Sequence, residues 1–488
     1  FMLENERQIW YAAFKSRDTR FDGRLFVGVS STGIYCRPVC RAKLPKFENC
    51  TFYASAAEAE QAGFRPCLIC RPELAPGNAP MDATSSLAHR AARLLEELCG
   101  NEQSIQEVAC RLGCTDRHLR RAFASEYSVA PVQYLQTCRL LLAKNLLTDT
   151  KLSVMEVAMA AGFGSLRRFN DLFKKQYHLV PTALRRQAAT AKSTEGNVTL
   201  TLGYRPPYQW QRMLDFLELR AIPGVEAVRG GEYLRTVHFE TSEGKPLYGW
   251  IRVGHQPQKN ALAVTVDIAL LPVLTQVLAR VRHLFDLYCD PDAVYETLAS
   301  MNDIRPDLCV LGTRVPGSFD PFEMAVRAVL GQQITVKGAR TLAARIVETY
   351  GIPIQTGVEG LTHIFPSPAE ILALDGPIGD HLGPLGITGA RANTILALAR
   401  VLTQKELDFS FGVQPEAEVQ RLLEVPGIGP WTAQYIAMRA MGWPDAFLPT
   451  DYGVKKALEP RTPKEILDLA EAWRPWRSYA TVNLWNYL

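Results

Sequence analysis

The chain has 488 residues, of which 47% are hydrophobic and 21% are charged. This composition is ordinary for a folded globular protein, and the length predicts three or four domains rather than one core. The sequence contains neither a signal-peptide pattern nor an unbroken apolar stretch of about 18 residues. We therefore expect a cytoplasmic protein that does not act on a membrane.

The net charge of +4 is unevenly distributed. Residues 1–195 contain 27 Lys and Arg against 19 Asp and Glu, whereas residues 196–488 contain 27 against 31. A basic excess is typical of nucleic-acid binding, because it attracts the phosphate backbone. The N-terminal part is therefore predicted to bind nucleic acid, and any such contact in the acidic part must depend on local geometry.

Four cysteines have the spacing of a metal site. Cys36 and Cys40 form a C-x3-C pair, and Cys67 and Cys70 form a C-x2-C pair. Two such pairs can place four thiolates around one zinc ion. Zinc with four thiolates keeps its sulfur atoms electron-rich, so that one of them can attack an electrophilic carbon. Most tetrathiolate zinc sites are structural. The spacing alone therefore does not distinguish a structural zinc knuckle from a reactive centre.

The residues around these cysteines, Thr32–Pro38 and Arg65–Pro72, resemble the N-terminal domain of the bacterial Ada response proteins, and the predicted domain is 1–78. In that family the first cysteine of the C-x3-C pair accepts a methyl group from a methylphosphotriester in DNA. The resemblance implies that Cys36 is the nucleophile and that the other three cysteines are spectator ligands of one zinc ion. It also implies DNA contacts at Thr32, Arg41, Lys43 and Arg65.

A second pattern occurs twice in the predicted domain 82–190. Each copy begins with an S-x-x-E capping box, continues as a short helix and stops at a glycine before another helix begins. This pattern predicts two helix-turn-helix units joined by an apolar helix. The short helices span 104–113 and 153–162, the second helices span 115–126 and 165–176, and the connecting helix spans 132–147.

Two units in tandem, with the fingerprint A-x-x-x-G-F at Ala158–Phe163, resemble the AraC-type DNA-binding domain. The resemblance implies an all-α domain that reads promoter DNA. Arg117 and Arg167 are candidate contacts, because arginine on such a helix can reach base edges and phosphates in the major groove. An unrelated helical bundle and a merely solvated charged face are the alternatives.

Residues 198–290 follow a polar linker predicted over Gln187–Gly196 and have the pattern of an α+β subdomain. From Pro291 to the end, the pattern is helical with Gly and Pro turns, which predicts an all-α domain over 291–488. The predicted strands are Val198–Leu202, Tyr233–Glu240, Leu247–Val253 and Ala261–Ile268, and the predicted helices are Tyr208–Arg220 and Leu274–Leu287.

The stretch Leu423–Tyr435 contains a P-G-I-G turn, which predicts a helix-hairpin-helix. Backbone N–H groups at Gly427 and Gly429 can bind a DNA phosphate without surplus positive charge. A hairpin followed by Asp451, 16 residues after Tyr435, resembles the helix-hairpin-helix DNA glycosylases. Three other stretches resemble the AlkA branch of that superfamily: Tyr204–Tyr208, Arg327–Gln332 and Trp476–Ala480.

This resemblance implies the site residues of the last domain. Asp451 would stabilise the sugar cation, or orient water, while the N-glycosidic bond of an alkylated purine breaks. Trp431, Tyr435 and Trp485 would form the aromatic pocket, although each aromatic alone could be a core residue and the aspartate alone a helix cap. Bifunctional members carry a lysine where this chain has Trp431, so no lyase step is expected.

Two further features distinguish this chain from relatives in the superfamily. Only Cys289 and Cys309 occur after residue 195, so we expect no iron–sulfur cluster. Family members insert an apolar side chain into the gap left by the flipped base, whereas that position here is Gln333, with Ile334 next to it. The sequence does not decide which of the two fills the gap.

The predicted protein is a fusion of a small α+β zinc domain, an all-α double helix-turn-helix domain, an α+β subdomain and an all-α helix-hairpin-helix glycosylase domain. It would sense alkylation, regulate transcription and repair DNA. Its expected partners are double-stranded DNA, both alkylated and promoter DNA, and RNA polymerase, and we expect a monomer. A transcription regulator with an inactive glycosylase-like domain, and a glycosylase whose zinc domain only docks DNA, are the alternatives.

Overall fold

A computed structural model of the chain describes residues 4–77, 87–100, 104–187, 196–241, 244–410 and 413–488. The predicted junction at 78–82 and most of the predicted linker Gln187–Gly196 lie outside these ranges. None of the helices inside them combines the length and the apolar character that a bilayer crossing requires.

The first part of the chain is a small α+β unit with α1 (Glu4–Ser16), β1 (Phe26–Val29), β2 (Ile34–Cys36), β3 (Cys50–Tyr53), α2 (Ala56–Gln61) and β4 (Arg65–Pro66). The sheet has the order β3-β1-β2-β4, in which β1 is antiparallel to both neighbours and β2 is parallel to β4. Tyr35 pairs with Pro66 in the parallel ladder. Cys36, at the end of β2, and Cys67, just after β4, therefore lie side by side.

The next part is all helical, with α3 (Leu87–Glu97), α4 (Ile105–Arg111), α5 (Asp116–Tyr127), α6 (Pro131–Asp149), α7 (Val154–Ala160), α8 (Leu166–Tyr177) and α9 (Pro181–Gln187). Both predicted capping boxes form, at the starts of α4 and α7. Gly113 and Gly162 follow these helices with φ of +68° and +82°, a conformation that favours glycine. The two predicted helix-turn-helix units, joined by α6, are confirmed.

The third part contains β5 (Asn197–Gly203), α10 (Trp210–Arg220), β6 (Glu226–Arg229), β7 (Glu232–Glu240), β8 (Pro246–Gln256), β9 (Ala261–Asp267) and α11 (Leu274–Leu284). The sheet is antiparallel with the order β5-β9-β8-β7-β6. The four predicted strands and both helices are present, but β6 was missed. That strand begins with Glu226, which is buried and paired with Arg327, so it lacks the apolar alternation of an ordinary strand.

The last part packs its helices around one large apolar core. Within the predicted all-α region the structure adds a short antiparallel pair, β10 (Ile352–Pro353) with β11 (His363–Ile364). Thr236 Oγ1 on β7 donates to the His363 carbonyl at 2.6 Å and ties this pair to the sheet of the third part. The elements are α12 (Pro291–Leu298), α13 (Pro321–Leu330), α14 (Val336–Tyr350), β10 (Ile352–Pro353), β11 (His363–Ile364), α15 (Pro368–Leu372), α16 (Ile378–Leu382), α17 (Gly389–Thr403), α18 (Pro415–Glu424), α19 (Pro430–Arg439), α20 (Tyr452–Ala457), α21 (Pro463–Ala470) and α22 (Arg477–Asn486).

One apolar core extends across the predicted boundary between 82–190 and 198–290. It includes Leu146 and Phe173 from the helical part and Val198 and Leu262 from the sheet. Helix α6 packs against β5 at this point. Because burial of apolar surface is the main favourable term in folding, the second helix-turn-helix unit and the sheet stabilise each other.

A buried carboxyl group connects the first part with the helix-turn-helix part. Glu60 of α2 accepts hydrogen bonds from Tyr35 Oη at 3.0 Å, Thr137 Oγ1 at 3.0 Å and Tyr177 Oη at 3.2 Å. Tyr35 precedes Cys36, whereas Thr137 and Tyr177 lie on α6 and α8. Burial raises the pKa of Glu60 to about 8, even though the three hydroxyl groups favour the anion.

We expect the free energy of unfolding to fall as the pH rises through the range between the unfolded and folded pKa values of Glu60. A carboxyl group with a raised folded pKa binds its proton more tightly in the folded state, so the loss approaches about 1.4 kcal/mol per pH unit in that range. Glu60→Gln cannot lose a proton, and its profile should be flatter. Urea unfolding of both proteins from about pH 5 to about pH 8.5 measures the difference. Other groups titrate equally in both proteins, so parallel profiles would contradict this assignment.

Candidate functional site

The four predicted metal-ligating cysteines come together. The sulfur atoms of Cys36, Cys40, Cys67 and Cys70 all lie within 4.8 Å of one another, and Cys70 is the most exposed of the four. The backbone N–H of Arg37 donates to the Cys70 sulfur at 3.3 Å, which favours a thiolate. Four convergent sulfur atoms match the donor set of a tetrahedral zinc site, so these residues fit zinc.

The cysteine cluster is connected to the third part of the chain through Arg37 and Asp22. The Arg37 guanidinium donates to the carboxylate of Asp22 at 2.8 Å and to the Cys70 carbonyl at 3.1 Å. The carbonyl of Asp22 in turn accepts from Arg205 Nη2 at 3.0 Å. Arg205 follows β5 and is buried. The cysteine centre and the third part of the chain therefore share one polar network.

The four predicted DNA-contacting residues of the first part lie around the cluster. Thr32 is exposed in the turn between β1 and β2, and half-exposed Arg65 begins β4 next to β2. Arg41 and Lys43 are exposed on the segment after Cys40. Exposed hydroxyl and basic side chains can contact phosphates, and these contacts stay a prediction.

Arg117 and Arg167 occupy equivalent positions in the two helix-turn-helix units. Each lies two residues after the N-cap of its helix, which is Thr115 for α5 and Ser165 for α8. Both arginines are exposed. In helix-turn-helix proteins the N-terminal residues of the second helix contact base edges, so the positions suit the predicted role, which remains to be tested.

The C-terminal part contains a cleft of about 1580 Å³. Its lining side chains include five arginines but only two carboxylates, although residues 196–488 are acidic as a whole. The arginines come from several helices, so no run of basic residues marks the site in the sequence. The cleft is therefore locally positive. Its charged lining residues are Arg220, Glu226, Arg327, Arg340, Arg391, Arg439 and Asp451.

The predicted hairpin between α18 and α19 lies at this cleft. Gly427 has a φ of +86°, and a Cβ at that position would lie 2.0 Å from Thr394 Oγ1, so only glycine fits. Gly429 is the N-cap of α19, and no side chain caps this helix. Uncapped N–H groups at a helix start form a site for an anion such as a phosphate.

Asp451 is held by four N–H donors. Its Oδ2 accepts from Trp431 Nε1 at 3.1 Å, and its Oδ1 accepts from Trp485 Nε1 at 2.8 Å. Oδ1 also accepts from the backbone N–H groups of Gly453 and Val454, at 2.9 and 3.2 Å, which makes Asp451 the N-cap of α20. The aspartate is thus a helix cap and a cleft residue at once, because capping fixes its carboxylate between the two indoles.

The predicted aromatic pocket is assembled, and one buried ring outside the cleft lining stacks on it. The rings of Trp431 and Tyr435 stack at 5.1 Å and 15°, and Tyr435 lies 6.3 Å from Trp485. Phe216 stacks on Trp485 at 6.0 Å and 20°. Phe216 belongs to α10, far from the other rings in sequence, and the residues around it form no recognisable motif. The sequence analysis missed it for this reason.

Two arginines missed by the sequence analysis lie beside the Tyr435 hydroxyl. Arg439 Nη1 donates to that hydroxyl at 2.7 Å, and the guanidinium of Arg220 lies 3.7 Å from the centre of the Phe216 ring. Burial lowers the pKa of Arg220 to about 10. Burial alone would raise the pKa of Tyr435, but the charges of Arg439 and Arg220 outweigh it, and the pKa is lowered. Two guanidinium groups therefore flank the phenol of this pocket residue.

Gln333 and Ile334, the two candidates for the gap left by a flipped base, lie in the turn between α13 and α14 and line the same cleft. Gln333 is exposed and has a φ of +55°. Ile334 is 37% exposed. Both side chains are therefore accessible to DNA bound at the hairpin.

Three family models match the chain. The metal binding domain of Ada matches residues 9–73, a helix-turn-helix domain matches 108–187 and the AlkA N-terminal domain matches 199–320. These matches agree with the fold and with the cysteine cluster. The chain is thus of the class of multidomain proteins that join an Ada-type zinc-binding domain and a DNA-binding helix-turn-helix domain to an AlkA-type glycosylase.

Similar proteins match either the whole chain or a portion of it. The "Probable bifunctional transcriptional activator/DNA repair enzyme AlkA" of Mycobacterium tuberculosis is 37% identical, over 98% of this chain and 96% of that protein. DNA-3-methyladenine glycosylase 2 of Escherichia coli is 35% identical over 58% of this chain and 96% of that protein. The bifunctional transcriptional activator/DNA repair enzyme Ada of Escherichia coli is 38% identical over 27% of this chain and 36% of that protein. The chain belongs to the family of bifunctional transcriptional activator/DNA repair enzymes AlkA, and the predicted fusion of an Ada-type zinc domain, an AraC-type helix-turn-helix domain and an AlkA-type glycosylase is confirmed.

Proposed function

We propose that this chain senses alkylation of DNA and repairs it. Cys36 accepts a methyl group from DNA methylphosphotriesters, and the cleft at Asp451 excises alkylated purines. The observation that carries the proposal is a carboxylate fixed by two indole N–H groups in an aromatic cleft behind a hairpin. The relatives named as AlkA and as DNA-3-methyladenine glycosylase 2 support the same activity.

The cleft suits a cationic base that has been flipped out of the duplex. A purine methylated at a ring nitrogen is positively charged, so the faces of Trp431, Tyr435 and Trp485 attract it. Asp451 then stabilises the positive charge that develops on the sugar as the N-glycosidic bond breaks. Water completes the hydrolysis, and the base departs as a neutral molecule. Trp431 has no amine that could attack the sugar, so the product is an intact strand with an abasic site.

The cysteine cluster suits methyl transfer. The Cys36 sulfur attacks the methyl carbon, an S–C bond forms while the C–O bond breaks, and a phosphodiester anion leaves. A single zinc ion, when bound, would keep the four sulfur atoms deprotonated near neutral pH. Cys40, Cys67 and Cys70 hold that geometry without reacting. The thioether is not turned over, so each chain accepts a single methyl group.

Double-stranded DNA is the common partner of these sites. Thr32, Arg41, Lys43 and Arg65 bind phosphates near the damaged phosphotriester. Arg117 and Arg167 read promoter bases, and Gly427 and Gly429 bind a phosphate beside the flipped base. Because α6 joins two complete helix-turn-helix units in one chain, a monomer can read two groove segments. RNA polymerase is the partner expected at the promoter.

One experiment tests both activities. The zinc-loaded full chain is incubated with DNA treated with a methylating agent, released bases are separated by chromatography and the protein is weighed by intact mass spectrometry. We expect free methylated purine and protein that has gained one methyl group. Methyl uptake without base release would leave a regulator with an inactive glycosylase domain. Base release without methyl uptake would leave a zinc domain that only docks DNA.

We also expect methylated protein to bind promoter DNA more tightly than unmethylated protein. Methylation converts one thiolate into a neutral thioether, so the zinc site becomes less negative and repels phosphates less. The gain should shrink as the salt concentration rises, because the interaction is electrostatic. Fluorescence anisotropy with one promoter duplex at several salt concentrations measures this. Equal affinities at low salt would contradict an electrostatic switch.

A further inference from the structure

The turn that contains Gln333 is one of three turns of the same design. In each, a residue with positive φ is followed by an isoleucine and then by the N-cap of a helix. All three turns contribute residues to the lining of the cleft. The turns are Gln333-Ile334-Thr335, Gly386-Ile387-Thr388 and Gly427-Ile428-Gly429, with φ at the first residue of +55°, +89° and +86°.

Only the first of these three turns places a side chain at the positive-φ position. The left-handed conformation costs a residue with a Cβ about 1 kcal/mol or more, and glycine avoids this cost. Gly386 and Gly427 adopt the positive φ without this cost, whereas Gln333 adopts it with a Cβ. Strain of this kind is concentrated at functional positions. The side chain of Gln333 is therefore the feature that distinguishes this turn.

The preceding residue, Gln332, has a different role. Its Nε2 donates to the Gly427 carbonyl and to Thr432 Oγ1, both at 3.0 Å. Its carbonyl accepts from Arg391 Nη2. These bonds connect this turn to the hairpin and to α17, so Gln332 fixes the position of its neighbour Gln333.

The side chain of Ile334 is partly packed against its own turn and helix. Its Cδ1 lies near Gly338, in the first turn of α14. The equivalent residues Ile387 and Ile428 are 2% and 6% exposed, whereas Ile334 is 37% exposed, so packing covers the Ile334 side chain only in part. Gln333 lies at the tip of the turn and is exposed to the cleft.

We propose that Gln333 enters the space left by the flipped purine and that its side-chain amide pairs with the orphaned pyrimidine of the opposite strand. This assignment rests on the proposed glycosylase function. An amide has a donor and an acceptor side by side. For thymine, the amide N–H donates to O4 and the amide oxygen accepts from N3–H. An apolar side chain would fill the same space but leave both groups of the thymine edge without partners.

The test compares two DNA duplexes. Each contains a tetrahydrofuran abasic analogue, opposite either thymine or difluorotoluene, which has the shape of thymine but hardly any hydrogen-bonding capacity. We expect the full chain to bind the thymine duplex about five- to fiftyfold more tightly, as two hydrogen bonds predict. Gln333→Leu should lose this preference for thymine. A wild-type protein without this preference would overturn the proposal, and so would a Gln333→Leu variant that keeps it.

Two further variants separate the side chain from the fold of the turn. Gln333→Gly suits the positive φ, so the turn should form, but the preference for thymine should be lost. Ile334→Ala removes the neighbouring candidate side chain and should keep the preference for thymine, because isoleucine has no hydrogen-bonding group; loss of the preference in this variant alone would overturn the assignment to Gln333. Release of methylated bases is measured in parallel. Normal release without a preference refutes only the role of Gln333, whereas no release by wild-type protein refutes the glycosylase function.

Discussion

Asp451→Asn is expected to slow the release of methylated adenine by roughly two or more orders of magnitude, because it removes the charge that stabilises the transition state. The structure adds a second reason. Both carboxylate oxygens accept N–H donors, one from Trp431 and one from Trp485. An amide has one acceptor oxygen, so its NH2 group would face one of the two indole N–H groups. Single-turnover excision followed by chromatography of the free base measures the effect.

Two controls make this result specific. Asp468→Asn changes an exposed carboxylate on α21, outside the cleft lining, and should leave excision unchanged. Binding of the Asp451→Asn variant to an abasic-site analogue should persist, since the hairpin at Gly427 and Gly429 is intact. Undiminished base release would remove Asp451 from the catalytic role. A protein–DNA adduct trapped by borohydride during turnover would contradict the monofunctional mechanism.

Cys36→Ala is expected to abolish methyl uptake from methylphosphotriester DNA while base excision continues, because the cysteine cluster and the cleft lie in different parts of the chain. Intact mass spectrometry detects the uptake, and peptide mass spectrometry locates the methyl group. Cys50→Ala is the matched control, because Cys50 is a buried thiol of the same sheet outside the cluster. This variant should retain full uptake.

The exposure of the four cysteines suggests a specific alternative outcome, in which another cysteine than Cys36 accepts the methyl group. Cys36 is 7% exposed, whereas Cys70 is the most accessible of the four. A methyl group found on Cys70, Cys40 or Cys67 would show that the roles within the cluster are assigned wrongly. Zinc content is measured in both variants, because removal of a ligand also weakens metal binding. Loss of uptake with full zinc content identifies the nucleophile rather than a collapsed site.

Features encoded by neighbouring residues were predictable from the sequence. Capping boxes and terminal glycines predicted both helix-turn-helix units, because these signals act within one helical turn. The spacing of Cys36, Cys40, Cys67 and Cys70 predicted the cluster, since β2 and β4 only need to lie side by side. Around the cleft, the resemblance supplied Asp451 and three aromatic residues, which the structure places together.

Features that depend on distant packing were not predictable. From α10, more than 200 residues before Trp431 in the sequence, Arg220 reaches the cleft and Phe216 stacks on Trp485. Each side chain, taken with its neighbours in sequence, looks like an ordinary helix residue. Glu60 likewise looks like a surface glutamate of a short helix, and only the fold brings Thr137 and Tyr177 onto its carboxylate. The local pattern of a single sequence does not show which residues that are distant in sequence come into contact.

The core shared by Leu146, Phe173, Val198 and Leu262 bears on how such a chain can be rearranged. If each part folded independently, the parts could be exchanged between proteins or reordered without loss of stability. Here a cut near residue 190 would expose apolar side chains on both sides, and each fragment would become prone to aggregate. Any exchange of parts by recombination therefore has to bring its own replacement for this contact. The covalent fusion has become a structural dependence.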